Sequence, residues 1–213
     1  MATLDRTAIR FGWTLLTYCL MRNHYHLVVR IDERGLARGM CELNTAYARQ
    51  FNVEHGRINH LFGKRYWSEF LEVDTHLQNA IRYVIQNPRR AGAPGPLENH
   101  PWTSYRATIG LELPRIRCLA PGEALGLFGT DPANAIDQFR EFCETPVPEG
   151  HVPCQAPSRK GARPRYVTVY SGPLPPSGGV SRPPLAVIAP HWTQFEGVTR
   201  TSTVPSPASS PTS

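Results

Sequence analysis

The sequence predicts an α+β fold over residues 1–144, followed by a tail over 145–213. Three observations carry this. Two neighbouring segments, "FGWTLLTYCLM" and "HYHLVVRI", are rich in β-branched and aromatic residues with Arg22-Asn23 between them, the pattern of two strands joined by a tight turn. Two later segments space their apolar residues as helices do. Composition then breaks near residue 145, beyond which fourteen of the 21 prolines fall among many Ser, Thr and Gly. Stretches such as "GPLPPSGGVSRPPLAV" sustain neither a helix nor a central strand, so the tail is expected to be largely disordered. One short extended piece is expected within it, at "RYVTVY".

The helical segments follow the two strands. In "GLARGMCELNTAYARQFNVEHG", Leu36, Met40, Leu43, Tyr47 and Phe51 step by 4, 3, 4 and 4 and draw one stripe; Gly56 is a plausible stop. "KRYWSEFLEVD" then alternates as a strand and ends at Asp74, a suitable N-cap for "THLQNAIRYVIQN". There Leu77, Ala80, Ile81 and Val84 form the apolar face, and Pro88 ends the helix while disfavouring helical geometry at Asn87. One further helical pattern surrounds "NAIDQFREFCE". No internal repeat is found.

Bulk properties narrow the class of function. At 213 residues and 40% hydrophobic content, the chain can bury one ordinary core. No window approaches 18 consecutive apolar residues, so no membrane span is expected, and the N-terminus lacks the charge and apolar order of a secretory signal. Five scattered cysteines without a CxxC pair argue for a reducing compartment and against a disulfide framework or zinc ribbon. The net charge is +6, but residues 145–213 hold six Lys/Arg against two Glu. Most of the excess is therefore in the tail, where "SRKGARPR" is the basic cluster, and net charge alone is weak support for nucleic-acid binding.

Two short motifs carry possible chemistry. His24 and His26 flank Tyr25; residues two apart on a strand share a face, so the imidazoles project side by side and Tyr25 points away. Such a pair can share one cation, though HxH alone better fits two satisfied or surface histidines. Tyr83 and Asn87, four apart, stack on one side of the later helix at the edge of its core face; alone, they better fit an ordinary boundary tyrosine and a C-terminal Asn. A tyrosine hydroxyl, with a free pKa near 10, is a poor nucleophile. It can attack a phosphodiester where a divalent cation polarises the phosphate.

These motifs, with "LARGMCELNTAYARQFNVEHGRINHLFGKRYWSEFLEVD", "IRYVIQNPRRAG" and "HPWTSYRA", resemble the single-tyrosine HUH transposases over about residues 11–142, and most nearly their REP-associated type. The HUH motif falls on His24-Tyr25-His26 and the YxxxN motif on Tyr83 and Asn87. The resemblance implies a ferredoxin-like antiparallel sheet with helices on one face. It implies a Mg²⁺ or Mn²⁺ ion held by His24 and His26 with Asn87. Tyr83 would be the nucleophile on single-stranded or hairpin DNA, leaving a 5′-phosphotyrosine intermediate and a free 3′-OH. A bacterial, cytoplasmic, nucleoid-associated protein follows, as monomer or homodimer.

The chain also departs from the family. Family members begin with a strand and a helix ahead of the "WTLLTYCLM" strand, where this chain has ten residues. A sheet lacking its first strand and helix is thus expected, with a gap between the HUH strand and "YWSEFLEV". Arg22 and Arg89 stand where relatives commonly have Pro and Val. Lys64, Arg65, Arg82, Arg89, Arg90 and Arg106, interleaved with Tyr66, Trp67, Trp102 and Tyr105, suit a stacking-and-phosphate surface for single strands; the two tryptophans better suit the core. Two rivals remain open: a non-catalytic hairpin-binding relative, motivated by the short N-terminus, and an unrelated metal-dependent phosphodiesterase using HxH alone.

Overall fold

The computed structural model describes residues 1–31, 35–62, 66–71, 74–146 and 166–171. Helix α1 (Ala2–Arg10) leads into strand β1 (Thr14–Leu20), which turns into β2 (Tyr25–Arg30). The turn closes with the Met21 N–H donating to the His24 carbonyl at 2.8 Å. Helix α2 (Leu36–Glu54) follows, and Gly56 just past it takes φ +59, a left-handed helix stop that glycine adopts without steric cost. Strand β3 (Trp67–Leu71) precedes α3 (Asp74–Ile85), and the short α4 (Asn87–Arg90) comes directly after. Short helices α5 (Tyr105–Thr108) and α6 (Pro121–Leu125) lead to α7 (Pro132–Glu144). The carboxylate of Asp131 caps α7 by accepting from Asn134 N–H at 2.9 Å. Strand β4 (Tyr166–Ser171) is the last described element. Among the described residues, no helix is long and apolar enough to cross a membrane.

The sheet is antiparallel throughout, as expected, with strand order β1-β2-β4-β3. Its order corrects two expectations. There is no gap between the HUH strand and β3: β4 lies there, pairing with β2 from Tyr25↔Ser171 to Arg30↔Tyr166 and with β3 from Trp67↔Tyr170 to Leu71↔Tyr166. The folded domain therefore extends past residue 144, and "RYVTVY" supplies an interior strand rather than an isolated extended piece. Nor is a leading helix missing, since α1 precedes β1 and buries Leu4 and Ala8.

Helices cover both faces of the sheet, not one. Val167 and Val169 of β4 and Leu27 and Val29 of β2 pack with Leu15 and Tyr18 of β1 against Leu4 and Ala8 of α1 and Met40 and Leu43 of α2. Val28, between Leu27 and Val29, packs on the opposite side with Leu16, Cys19 and Leu71 against Leu77, Ala80, Ile81, Val84 and Ile85 of α3. Phe139 and Cys143 of α7 join that second cluster. The reason lies in the strands themselves: residues 26–29 of β2 are all buried. A strand apolar on both faces needs cover on both.

Close packing on the α1/α2 side depends on one glycine. A Cβ at Gly39 would lie 2.3 Å from Cζ2 of Trp13, so the bare backbone of α2 admits the indole ring. On the other side, the junction of α3 with α4 is pinned to α7. Gln86 is buried, and its amide nitrogen donates to the Cys143 carbonyl and, at 2.8 Å, to that of Thr145. Pro88 ends α3 at Ile85, as expected, but Asn87 begins α4; a missing N–H costs nothing in a helix's first turn.

Candidate active site

Strand register builds the site as a row across the sheet. Cys19 of β1 faces His26 of β2, His26 faces Tyr170 of β4, and Tyr170 faces Trp67 of β3. Opposed residues of antiparallel strands share a face, so this row lies on the α3 side. His24 stands just outside β2, at the end of the hairpin turn, and its ring still meets that of His26. The centroids are 5.2 Å apart in an edge-to-face arrangement. Tyr25 points the other way, its hydroxyl donating to Asn44 Oδ1 of α2 at 2.5 Å. The alternation read from His24-Tyr25-His26 is thus realised.

Helix α3 delivers Tyr83 to the same place. Its ring is 5.7 Å from that of His26, and the Arg90 guanidinium sits 4.6 Å from the Tyr83 ring centroid, within the range of a cation–π contact. Tyr83 packs at the margin of the core cluster, the boundary position inferred from its helical phase. Asn87 is 7% exposed, and its side-chain nitrogen donates to the Tyr83 carbonyl at 3.0 Å. The two residues of the YxxxN motif are therefore joined through the helix backbone.

Burial sets the electrostatics. It pushes the pKa of His26, which is 6% exposed, down to about 3, with His24 and Arg90 adding repulsion of the charged form. His24 is lowered as well, by burial. Both imidazoles are thus neutral near pH 7, the form that binds metal. His24 Nδ1 lies 2.7 Å from Asn23 Oδ1; an amide oxygen only accepts, so Nδ1 carries the proton and Nε2 is left as the base.

Two neutral imidazoles could supply two nitrogen ligands to a divalent cation. Nitrogen–metal bonds of about 2 Å let rings at 5.2 Å spacing reach a common ion. No group of three His, Cys, Asp or Glu that could hold a metal gathers among the described residues.

The six predicted basic contacts are distributed unevenly. Arg90 is at Tyr83. Arg82 donates to Asn79 Oδ1 and lies over the Phe142 ring. Arg89 is paired with Glu144 at 2.6 Å, and Arg106 with Glu112 at 3.2 Å. Lys64 and Arg65 lie outside the described residues, as does the tail cluster "SRKGARPR". Trp67, expected in the core by sequence, is instead 38% exposed at the sheet edge beside the site. Tyr105 is core.

Sequence reasoning missed one residue of the site. Tyr170 places its ring 4.9 Å from that of His26 and 5.5 Å from that of His24. The signal was present in the alternation Tyr-Val-Thr-Val-Tyr. That pattern marks a strand but not its neighbours.

Helix α3 thus sets Tyr83 beside a histidine pair on an antiparallel sheet, and comparison with known proteins finds likenesses to this segment. Residues 2–87, a span that includes His24, His26, Tyr83 and Asn87, match the family described as "Transposase IS200 like". At 21% identity over 119 residues, covering 51% of this chain and 68% of the other, it is similar to a Haemophilus influenzae protein named "Putative REP-associated tyrosine transposase". No solved structure matches.

Proposed function

We propose that this chain cleaves and rejoins single-stranded DNA at hairpins, with Tyr83 as nucleophile and His24 and His26 as ligands of Mg²⁺ or Mn²⁺. The observation that carries the reading is the approach of the Tyr83 ring to His26, at 5.7 Å, beneath Arg90. Tyr83 Oη would attack a backbone phosphorus in line with the 3′ oxygen. The new Oη–P bond forms as the P–O3′ bond breaks, the tyrosine proton is lost, and the departing 3′ oxygen takes up a proton. The products are a 5′-phosphotyrosine and a free 3′-OH, and strand transfer is the reverse with a different 3′-OH. A bound Mg²⁺ or Mn²⁺ would polarise the phosphate and neutralise developing charge.

The chain's own groups have separate tasks in this reading. Arg90, free to face phosphate while stacked on Tyr83, would orient the strand and offset charge at the scissile group. Asn87, tied to the Tyr83 carbonyl, would lend its amide oxygen to the cation. Trp67, exposed along the site's edge, would offer a base a stacking face. The name of the Haemophilus relative supports the REP-associated class of substrate.

The rival, a hairpin binder without catalysis, is motivated by the short N-terminus and the gap it implies in the sheet. That motive weakens because β4 stands between β2 and β3. Incubation with labelled hairpin DNA from its own genome and Mn²⁺, followed by a denaturing gel, separates the readings. A covalent protein–DNA adduct is expected, absent in Tyr83→Phe and reduced at least 100-fold in His24→Ala. Retained cleavage in Tyr83→Phe would overturn the tyrosine mechanism and favour a phosphodiesterase that uses the histidines alone; binding without any adduct would favour the rival.

A further inference from the structure

His24 is the less securely held of the two histidines. It sits outside the ladder of β2, at the end of a hairpin turn, so strand pairing does not fix its side chain. Three contacts surround its ring: Asn23 Oδ1 at the edge, the His26 ring and the Tyr170 ring. The last two rings also touch each other, so the three centroids form a near-equilateral triangle with sides of 5.2, 4.9 and 5.5 Å. Register fixes the third corner independently. Tyr170 is paired with His26 on one side and Trp67 on the other, and it is 9% exposed. A side chain held in this way has little freedom, and it can pass that rigidity to a freer neighbour by packing.

We propose that Tyr170, brought by the interior strand β4, is a positioning residue of the site: its ring holds the His24 and His26 imidazoles in the mutual orientation at which they face one cation. The inference rests on the proposed role of the histidine pair. The contacts are ring contacts, so the aromatic ring is the active feature. The strand's opposite face does other work: Val167 and Val169 fill the core against α1 and α2. Position 169 therefore provides a control in the same strand that does not touch the site. Disturbing the outer support of a metal-binding histidine typically costs 10- to 100-fold in affinity.

The probe is Mn²⁺ alone, titrated into the full chain and followed by the electron paramagnetic resonance of the free ion, with thermal unfolding in parallel. Tyr170→Phe should bind within about two-fold of wild type. Tyr170→Leu, which keeps bulk and loses the ring, should bind 10- to 100-fold more weakly. Val169→Ala should lower the melting temperature while leaving Mn²⁺ affinity unchanged. Wild-type affinity in a folded Tyr170→Leu would overturn the inference and leave the histidine site standing. A wild-type protein that binds no Mn²⁺ would overturn both. If the leucine variant does not fold, wild-type NMR decides. Nuclear Overhauser contacts from the Tyr170 ring to both imidazoles are expected, and their absence would overturn the placement.

Discussion

At the residue scale, the two halves of the site differ in how they are held. His26 is locked by a ladder position, burial and three aromatic neighbours, whereas His24 depends on a turn and a ring. Burial of His26 has a measurable consequence. An unfolded histidine takes up a proton near pH 6.5, but the folded His26 does not until about pH 3. Below pH 6.5 the unfolded chain thus binds more protons, so this group's contribution to stability falls as pH drops from 6.5 towards 3. The urea midpoint of wild type should therefore decline more between pH 7 and 4.5 than that of His26→Gln, which lacks the titrating ring. Parallel declines would show that His26 is solvated. HxH and YxxxN were legible in the sequence because both depend on local periodicity, two along a strand and nearly four along a helix. Tyr170 was not, because its partnership with His26 spans 144 positions and leaves no local trace.

At the scale of elements, the hairpin, α2, β3 and α3 could be read from apolar spacing and turn residues. Two elements were not placed correctly. Helix α1 is nine residues long and buries only four of them, too short a stripe to stand out beside the strand that follows. Strand β4 was visible as an extended piece, but its proline-rich flanks suggested a solvated tail, and nothing nearby indicated a position between two strands. The expectation of helices on one face failed because the resemblance supplied it, whereas the unbroken apolar run Leu27-Val28-Val29 points to cover on both faces. The fit of α2 against Trp13 gives a stability test. Gly39→Ala adds a methyl group 2.3 Å from the indole. Overpacking of that kind costs about 1–3 kcal/mol, against about 1 kcal/mol gained in helix propensity. The melting temperature should fall, and a second change, Trp13→Phe, should make the alanine less harmful. A Gly39→Ala protein more stable than wild type would show that the ring has room to move.

At the scale of the whole molecule, the sheet draws an interior strand from far along the chain. A fragment ending at residue 146 keeps His24, His26, Tyr83 and Asn87 but leaves the facing edges of β2 and β3 without a partner, and open strand edges invite association. Such a fragment should show no cooperative thermal transition and should aggregate, as read by calorimetry and light scattering; a sharp, reversible transition would mean that β4 is dispensable. The order of elements also has a consequence in time. Ninety-five positions separate the end of β3 at Leu71 from the start of β4 at Tyr166. The tyrosine helix ends at Ile85, 81 positions before β4, so with ribosomes adding about 5–20 residues per second it and both histidines exist for roughly 4–16 seconds before the strand that joins their sheet is made. A nascent chain therefore carries Tyr83 and both histidines without the completed sheet beneath them, and the proposed capacity to cut DNA would arrive only once β4 has been made.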